Sequence, residues 1–201
     1  MLSIERFFPA WERLAIHESS PVVRGASVKL ARRCAGYSAS QYYPDAPLGT
    51  VPTGKSFRNE NLEKLTFPDG AFDLFVTQDV VEHLLDPPRA FAEIARVLRP
   101  GGAHVFSVPL VSKERPSRIA ADRDATGAVV HHLPPEYHGN PVDGSGALVT
   151  RHWGFDICDH IYAASGLTTT IVHIDDLSHG IRAEYVEILI SRKPAHAAAP
   201  A

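Results

Sequence analysis

Leu65-Thr66-Phe67-Pro68-Asp69-Gly70-Ala71-Phe72-Asp73-Leu74-Phe75-Val76-Thr77-Gln78-Asp79-Val80-Val81-Glu82-His83 decides how the rest of the chain is read. It continues through Arg96-Val97-Leu98-Arg99-Pro100-Gly101-Gly102 to Val105-Phe106-Ser107-Val108-Pro109. Pro68-Asp69-Gly70 is a turn. Phe72 to Thr77 is a nearly continuous apolar run, the pattern of a strand covered on both faces. Pro87-Pro88 opens a helix, and Phe91, Ile94, Ala95 and Leu98 give it one apolar side. Pro100-Gly101-Gly102 stops that helix, and Ala103 to Val108 is a second apolar strand. Strand, helix and strand in this order make a right-handed crossover, the unit of a parallel sheet.

Upstream, residues 13–18 read as a first strand. Ser20 then has the character of an N-cap with Pro21 at the first helical position. That helix places Val22, Val23, Ala26, Leu30 and Ala31 on its apolar side and ends near Gly36. Residues 37–43 and 56–59 are two further expected strands. Downstream, residues 111–150 are rich in His, Pro, Gly and charge. Gly154 to Ser165 reads as a helix with Gly166 as its stop. Residues 168–174 and 184–191 read as two β-branched strands.

At 201 residues the chain is long enough for one full core, expected over 1–193, with the Ala/Pro-rich 194–201 as a disordered tail. A net charge of −3 argues against a nucleic-acid partner. Cys34 and Cys158 are too few for a disulfide framework, which fits a cytoplasmic location. No apolar run is long enough to span a membrane, and none near Met1 has signal-peptide character. Leu2, Ile4, Phe7, Phe8 and Trp11 form an apolar cluster. It is read first as a core plug, with a lid or a homodimer contact as the alternatives.

The strand opening on Phe72-Asp73, the turn Asp79-Val80-Val81-Glu82-His83 and the turn Arg96 to Gly102 resemble three motifs of one family, in order and at its spacing. The family is the class I, small-molecule S-adenosylmethionine-dependent methyltransferases, with motifs written F-D-x-V, D-V-x-E-H and R-V-L-x-P-G-G. The resemblance implies an α/β fold: a mainly parallel, Rossmann-like sheet, helices on both faces, and an antiparallel terminal strand pair. Such sheets bind ligands at the strands' carboxyl ends, where strand order reverses. Carried over by position, the S-adenosylmethionine site comprises Glu18, Ser19, Gln41, Asn61, Leu62, Gln78 and His83. The resemblance also makes His83 a catalytic candidate, since residues at this strand end flank the transferred methyl in the family; the alternative for Glu82 and His83 is that they only cap and orient the turn.

Three positions depart from the family pattern. His17-Glu18-Ser19-Ser20-Pro21 stands where the family has an acid and a Gly-x-Gly loop. Gln41, with Asp45 further along as the alternative, stands where an acid receives the ribose hydroxyls, and Asn61 where an aspartate meets the adenine. Each weakened hydrogen bond costs on the order of 1 kcal/mol, so three together weaken the cradle roughly a hundredfold.

The histidine-rich segment His131-His132-Leu133-Pro134-Pro135-Glu136-Tyr137-His138 lies where related enzymes shape the acceptor pocket. O-methyl transfer needs a base, and histidine suits that near neutral pH. His138 is the first candidate, with Glu136, Tyr137 and His152 behind it; the alternative is a rigid surface loop. Residues 131–152 are expected to fold over the sheet's carboxyl end as the acceptor side of the pocket. His131, His132, His138 and His152 with Asp143 or Asp156 are a second alternative, a metal set. They lack the spacing of a helical metal motif, so no metal is expected. The function expected is O-methyl transfer to a small molecule or sugar. The alternative is a methyltransferase-like protein that no longer methylates and instead binds a ligand, supports a partner or catalyses another reaction. A nicotinamide enzyme lacks its G-x-G-x-x-G fingerprint here.

Overall fold

In the computed structural model, residues 1–139 and 146–195 are described. Seven strands form one sheet: β1 (Ala15–Ser19), β2 (Gly36–Gln41), β3 (Arg58–Asn59), β4 (Phe72–Gln78), β5 (Leu98–Ser107), β6 (Thr168–His173) and β7 (Glu187–Arg192). Their order is β6-β7-β5-β4-β1-β2-β3. The β1–β5 pairings are parallel, whereas β7 runs antiparallel to both β5 and β6. This is the mainly parallel sheet with an antiparallel terminal pair that the motifs imply. The order reverses between β1 and β4, which fixes where a ligand site belongs.

Two cores cover the sheet. On one face, α1 (Leu2–Phe7) and α2 (Gly25–Arg33) cover Ile16, Leu74, Val76, Val105 and Ile190, with Ile4, Trp11 and Leu30 buried among them. The N-terminal cluster is thus a core plug through Ile4 and Trp11. On the other face, α3 (Pro87–Val97) and α4 (Ile157–Ser165) cover Phe75, Phe106 and Leu189 with Phe91, Ile94, Ile157 and Ile161. Alternation along each strand assigns a residue to one face or the other.

Two of the motifs turn out to be clamps. Asp73 Oδ2 accepts the Ala15 N–H at 2.7 Å, and the Arg99 guanidinium binds both Asp73 oxygens at 2.8 Å. The carboxylate therefore ties the start of β1 to the bend that opens β5. A Cβ on Gly102 would lie 2.9 Å from the Arg99 and Asp73 carbonyl oxygens, so a side chain there would force the clamp apart. Arg96 donates to the Leu65 and Phe67 carbonyls and pairs with Glu93, fixing the turn before β4 onto α3.

The helix after β1 begins later than expected. Ser20 does not cap it: its φ is +58°, and its N–H is spent on the Ser40 carbonyl at 2.8 Å. The sheet pairing thus runs one residue past β1, and α2 starts only at Gly25. Val23, expected on the apolar side, is 97% exposed. The segment after β5 contains three short antiparallel pairs: Arg118–Ile119 with Arg151–His152, Ala121–Arg123 with Val129–His131, and Tyr137–His138 with Ala147–Leu148. The expected disordered tail falls mostly on residues 196–201, which lie outside the described residues. Among the described residues, no helix is long and apolar enough to cross a membrane.

Candidate active site

A cavity of about 360 Å³ opens at the carboxyl ends of β1, β2 and β4. Ser19, Gln41, Asn61, Leu62 and His83 line it, together with Ser20, Asp79, Val80 and Glu60. Its volume lies within the range of small-molecule sites. Ser20 and Asp79, the residues immediately after β1 and β4, are both left-handed non-glycines, with φ +58° and +51°. Backbone held in this region by surrounding structure concentrates at ligand sites. The Gly-x-Gly loop is missing, yet the sharp turn that glycine would ease is present with serine in its place. Ser20 was expected as an N-cap and Asp79 stood in the turn motif, but neither side chain carries a sign of the left-handed turn it makes.

Glu18 and Gln78 were expected in this cavity, and the structure places them elsewhere. Glu18 shares strand parity with Ile16, and Gln78 with Leu74 and Val76, so both face α1 and α2. There Glu18 is fully buried and accepts from Ser27 Oγ at 2.7 Å, Gln78 Nε2 at 2.6 Å and Tyr37 Oη at 2.7 Å. Burial, with the Glu18 bond behind it, pushes the Tyr37 hydroxyl above its ordinary pKa. Three donors occupy the Glu18 carboxylate and make it a structural hub.

A larger cavity of about 750 Å³ lies on the α1/α2 face. Ile4, Val76, Val105, Ile174 and Ile188 line it, with Gln78, Lys29, Arg182 and Glu187 as polar groups. Consecutive residues at the β4 tip therefore face two cavities: Gln78 the larger, Asp79 the smaller.

The histidine segment reaches the smaller cavity, not the larger one. Gly139 and Ala147 line its rim, and the rings of His138 and His83 meet edge to face at 5.3 Å. The larger cavity is bounded instead by residues 1–5 and 179–188. Asp143 lies outside the described residues. The candidate metal set does not converge on one point: His132 donates to Asp122, Asp156 accepts from Ser117, and His152 and His138 donate to the two oxygens of Glu136. Only His138 of that group meets a different pair, Glu82 and His83.

His83 Nδ1 donates to the Leu148 carbonyl at 2.8 Å, which leaves Nε2 as the ring's acceptor. Burial lowers the His83 pKa and outweighs that bond. His138 Nε2 donates to Glu136 at 3.2 Å, leaving Nδ1 turned to Glu82. Hydrogen bonds from His152 and His138 hold Glu136 below its ordinary value. Glu82 is 2% exposed, and neither carboxylate oxygen has a hydrogen-bond partner among the described residues. Burial, with the nearby Asp79 charge adding to it, pushes its pKa up to about 8.

Residues 28–106 match a family described as methyltransferase domain. A solved S-adenosylmethionine-dependent methyltransferase from Mesorhizobium loti shares the fold, with a TM-score of 0.60 at 17% identity over 96% of each chain. The chain thus has the fold of S-adenosylmethionine-dependent methyltransferases, and its residues 28–106 match the methyltransferase-domain family. A second methyltransferase-fold structure is a Burkholderia thailandensis 1,6-didemethyltoxoflavin-N1-methyltransferase holding S-adenosylhomocysteine. It superposes with a TM-score of 0.56 at 15% identity, over 96% of this chain and 76% of that one. An uncharacterized methyltransferase of Schizosaccharomyces pombe is 49% identical over 47 residues, 23% of this chain and 17% of that protein. The aligned stretches of this and the next curated methyltransferase relative span a fifth or less of those proteins' own lengths.

Proposed function

We propose that the chain is an S-adenosylmethionine-dependent methyltransferase acting on a small molecule. The observation that carries this reading is the smaller cavity. It gathers five of the seven cofactor positions carried over from the motifs, Ser19, Gln41, Asn61, Leu62 and His83, at the sheet's switch point. Two left-handed turns, at Ser20 and Asp79, bring backbone to the same space. These residues fit the cofactor: the Gln41 amide suits the ribose hydroxyls, and Asn61 with Leu62 suits the adenine. Bound there, the cofactor supplies an electrophilic methyl group.

The chain's own contribution is positioning and exclusion of water. The acceptor is assigned to the side of the smaller cavity that Gly139 and Ala147 line, where the histidine segment comes to it. For a hydroxyl acceptor, His138 is the base proposed in the ion-free site, since its Nδ1 is not tied to Glu136.

Calorimetric titration with S-adenosylmethionine and S-adenosylhomocysteine tests the reading. Saturable one-to-one binding of micromolar strength or weaker is expected. Absence of binding to both would remove the methyltransferase reading, and submicromolar binding would remove the weakened cradle.

A further inference from the structure

We propose that Glu82, His83 and His138 form a binding site for one divalent transition-metal cation. The argument begins with what these three groups lack. Every one presents an acceptor, and none presents a donor to the others. His83 has spent its N–H on the Leu148 carbonyl, and His138 has spent its N–H on Glu136. The two remaining ring lone pairs face the Glu82 carboxylate, at 3.7 Å from His83 Nε2 and 3.8 Å from His138 Nδ1. That carboxylate is buried with both oxygens unpartnered. A buried polar group without a partner is costly, so such a group calls for an explanation.

A proton on Glu82 satisfies one of the three acceptors. A cation satisfies all of them. One donor atom from each residue falls within 4.8 Å of the other two. Bonds of about 2.0–2.2 Å to a cation place its donors about 3.5 Å apart, so the two Glu82 contacts need to close by a few tenths of an ångström and the two ring nitrogens by about 1.3 Å at most. Two imidazoles and one carboxylate suit zinc, iron, cobalt or nickel better than magnesium or calcium. The outer partners are also present: ligating histidines donate their second N–H to a carbonyl or carboxylate, as His83 does to Leu148 and His138 to Glu136. His152, donating to the other Glu136 oxygen at 3.1 Å, braces that carboxylate in turn. Three protein ligands leave coordination positions open toward the cavity that His83 lines. With the cation bound, His138 has no lone pair left to act as a base, and the cation supplies Lewis acidity to an acceptor oxygen.

The proposal concerns binding and is measured without turnover. Protein stripped with a chelator and returned to near-neutral pH is titrated with Zn²⁺ by calorimetry and with Co²⁺ by visible absorption. One equivalent per chain is expected, with the absorption bands of nitrogen-and-oxygen-bound Co²⁺. Glu82→Gln and His138→Ala are each expected to weaken binding at least roughly tenfold. His131→Ala, an exposed histidine outside the triad, is expected to bind as the parent does. Should Glu82→Gln fail to fold, His138→Ala decides alone, because His138 sits on a half-exposed loop. No binding by the parent protein, or equal binding by the triad variants, overturns the proposal. Cofactor binding without cation binding leaves the methyltransferase reading intact, and cation binding without cofactor binding does the reverse.

Discussion

Gln78 Nε2 donates to Glu18 Oε1 at 2.6 Å, joining the tips of two neighbouring strands sixty residues apart in sequence. Tyr37 and Ser27 complete the donor set around the same carboxylate. Removing one donor leaves a buried charge short of a partner. Tyr37→Phe is therefore expected to cost about 1–3 kcal/mol in urea unfolding. Cofactor affinity should barely change, because Glu18 faces away from the smaller cavity. A Tyr37→Phe protein of full stability with lost cofactor binding would reverse the assignment.

Ser20 provides a second test. A non-glycine residue at φ +58° carries about 1–2 kcal/mol of steric cost that glycine avoids. Ser20→Gly is expected to raise stability by about 1 kcal/mol, partly offset by backbone entropy. Thermal unfolding of the two proteins side by side reads this directly, and a destabilised variant would show that the Ser20 side chain matters more than its backbone.

The base assignment makes a kinetic prediction. Once an acceptor is in hand, His138→Ala is expected to lower kcat by roughly two orders of magnitude with cofactor affinity nearly unchanged. If chelation of the parent protein leaves turnover untouched, His138 acts as the base; if chelation removes it, the cation does the work. Turnover equal to the parent's would make His138 a loop residue.

Stability should also depend on pH through two buried histidines. His17 is wedged against Phe67, Phe72 and Phe75, and His104 is stacked on Phe106. Burial lowers both pKa values to about 3, with the Arg58 charge adding to the effect at His17. The unfolded chain titrates near 6.5, so between about pH 3 and 6.5 it binds more protons than the folded chain. Their contribution is complete above about pH 6.5 and falls as pH drops, by up to about 1.4 kcal/mol per pH unit for each histidine. Urea unfolding across that window should show it, and His104→Asn should shed its share of the slope. A slope identical to the parent's would rule His104 out as a source.

The β4–α3–β5 crossover was legible because its strands are continuous apolar runs and its turns carry Pro and Gly. The antiparallel end was legible for a related reason, its β-branched alternation. The start of α2 was not, because Ser20-Pro21 reads the same whether serine caps a helix or extends a sheet pairing. Strand parity held the correct facing of Glu18 and Gln78, a signal present in the sequence but outweighed by position in the motif. The short pairs between β5 and β6 carry two or three residues each, too few to show a period. Glu82 and His138 stand fifty-six positions apart, and spacing along a chain says nothing about which loops return to meet.

β7 follows β6 in the chain but lies between β6 and β5 in the sheet. During vectorial synthesis, the β5 edge therefore waits with its backbone groups unpaired until residues 187–192 leave the ribosome. Phe106 and Val105 sit on that waiting edge, a template for wrong partners in a crowded cell. Until β7 arrives, that edge can pair with any extended segment that meets it.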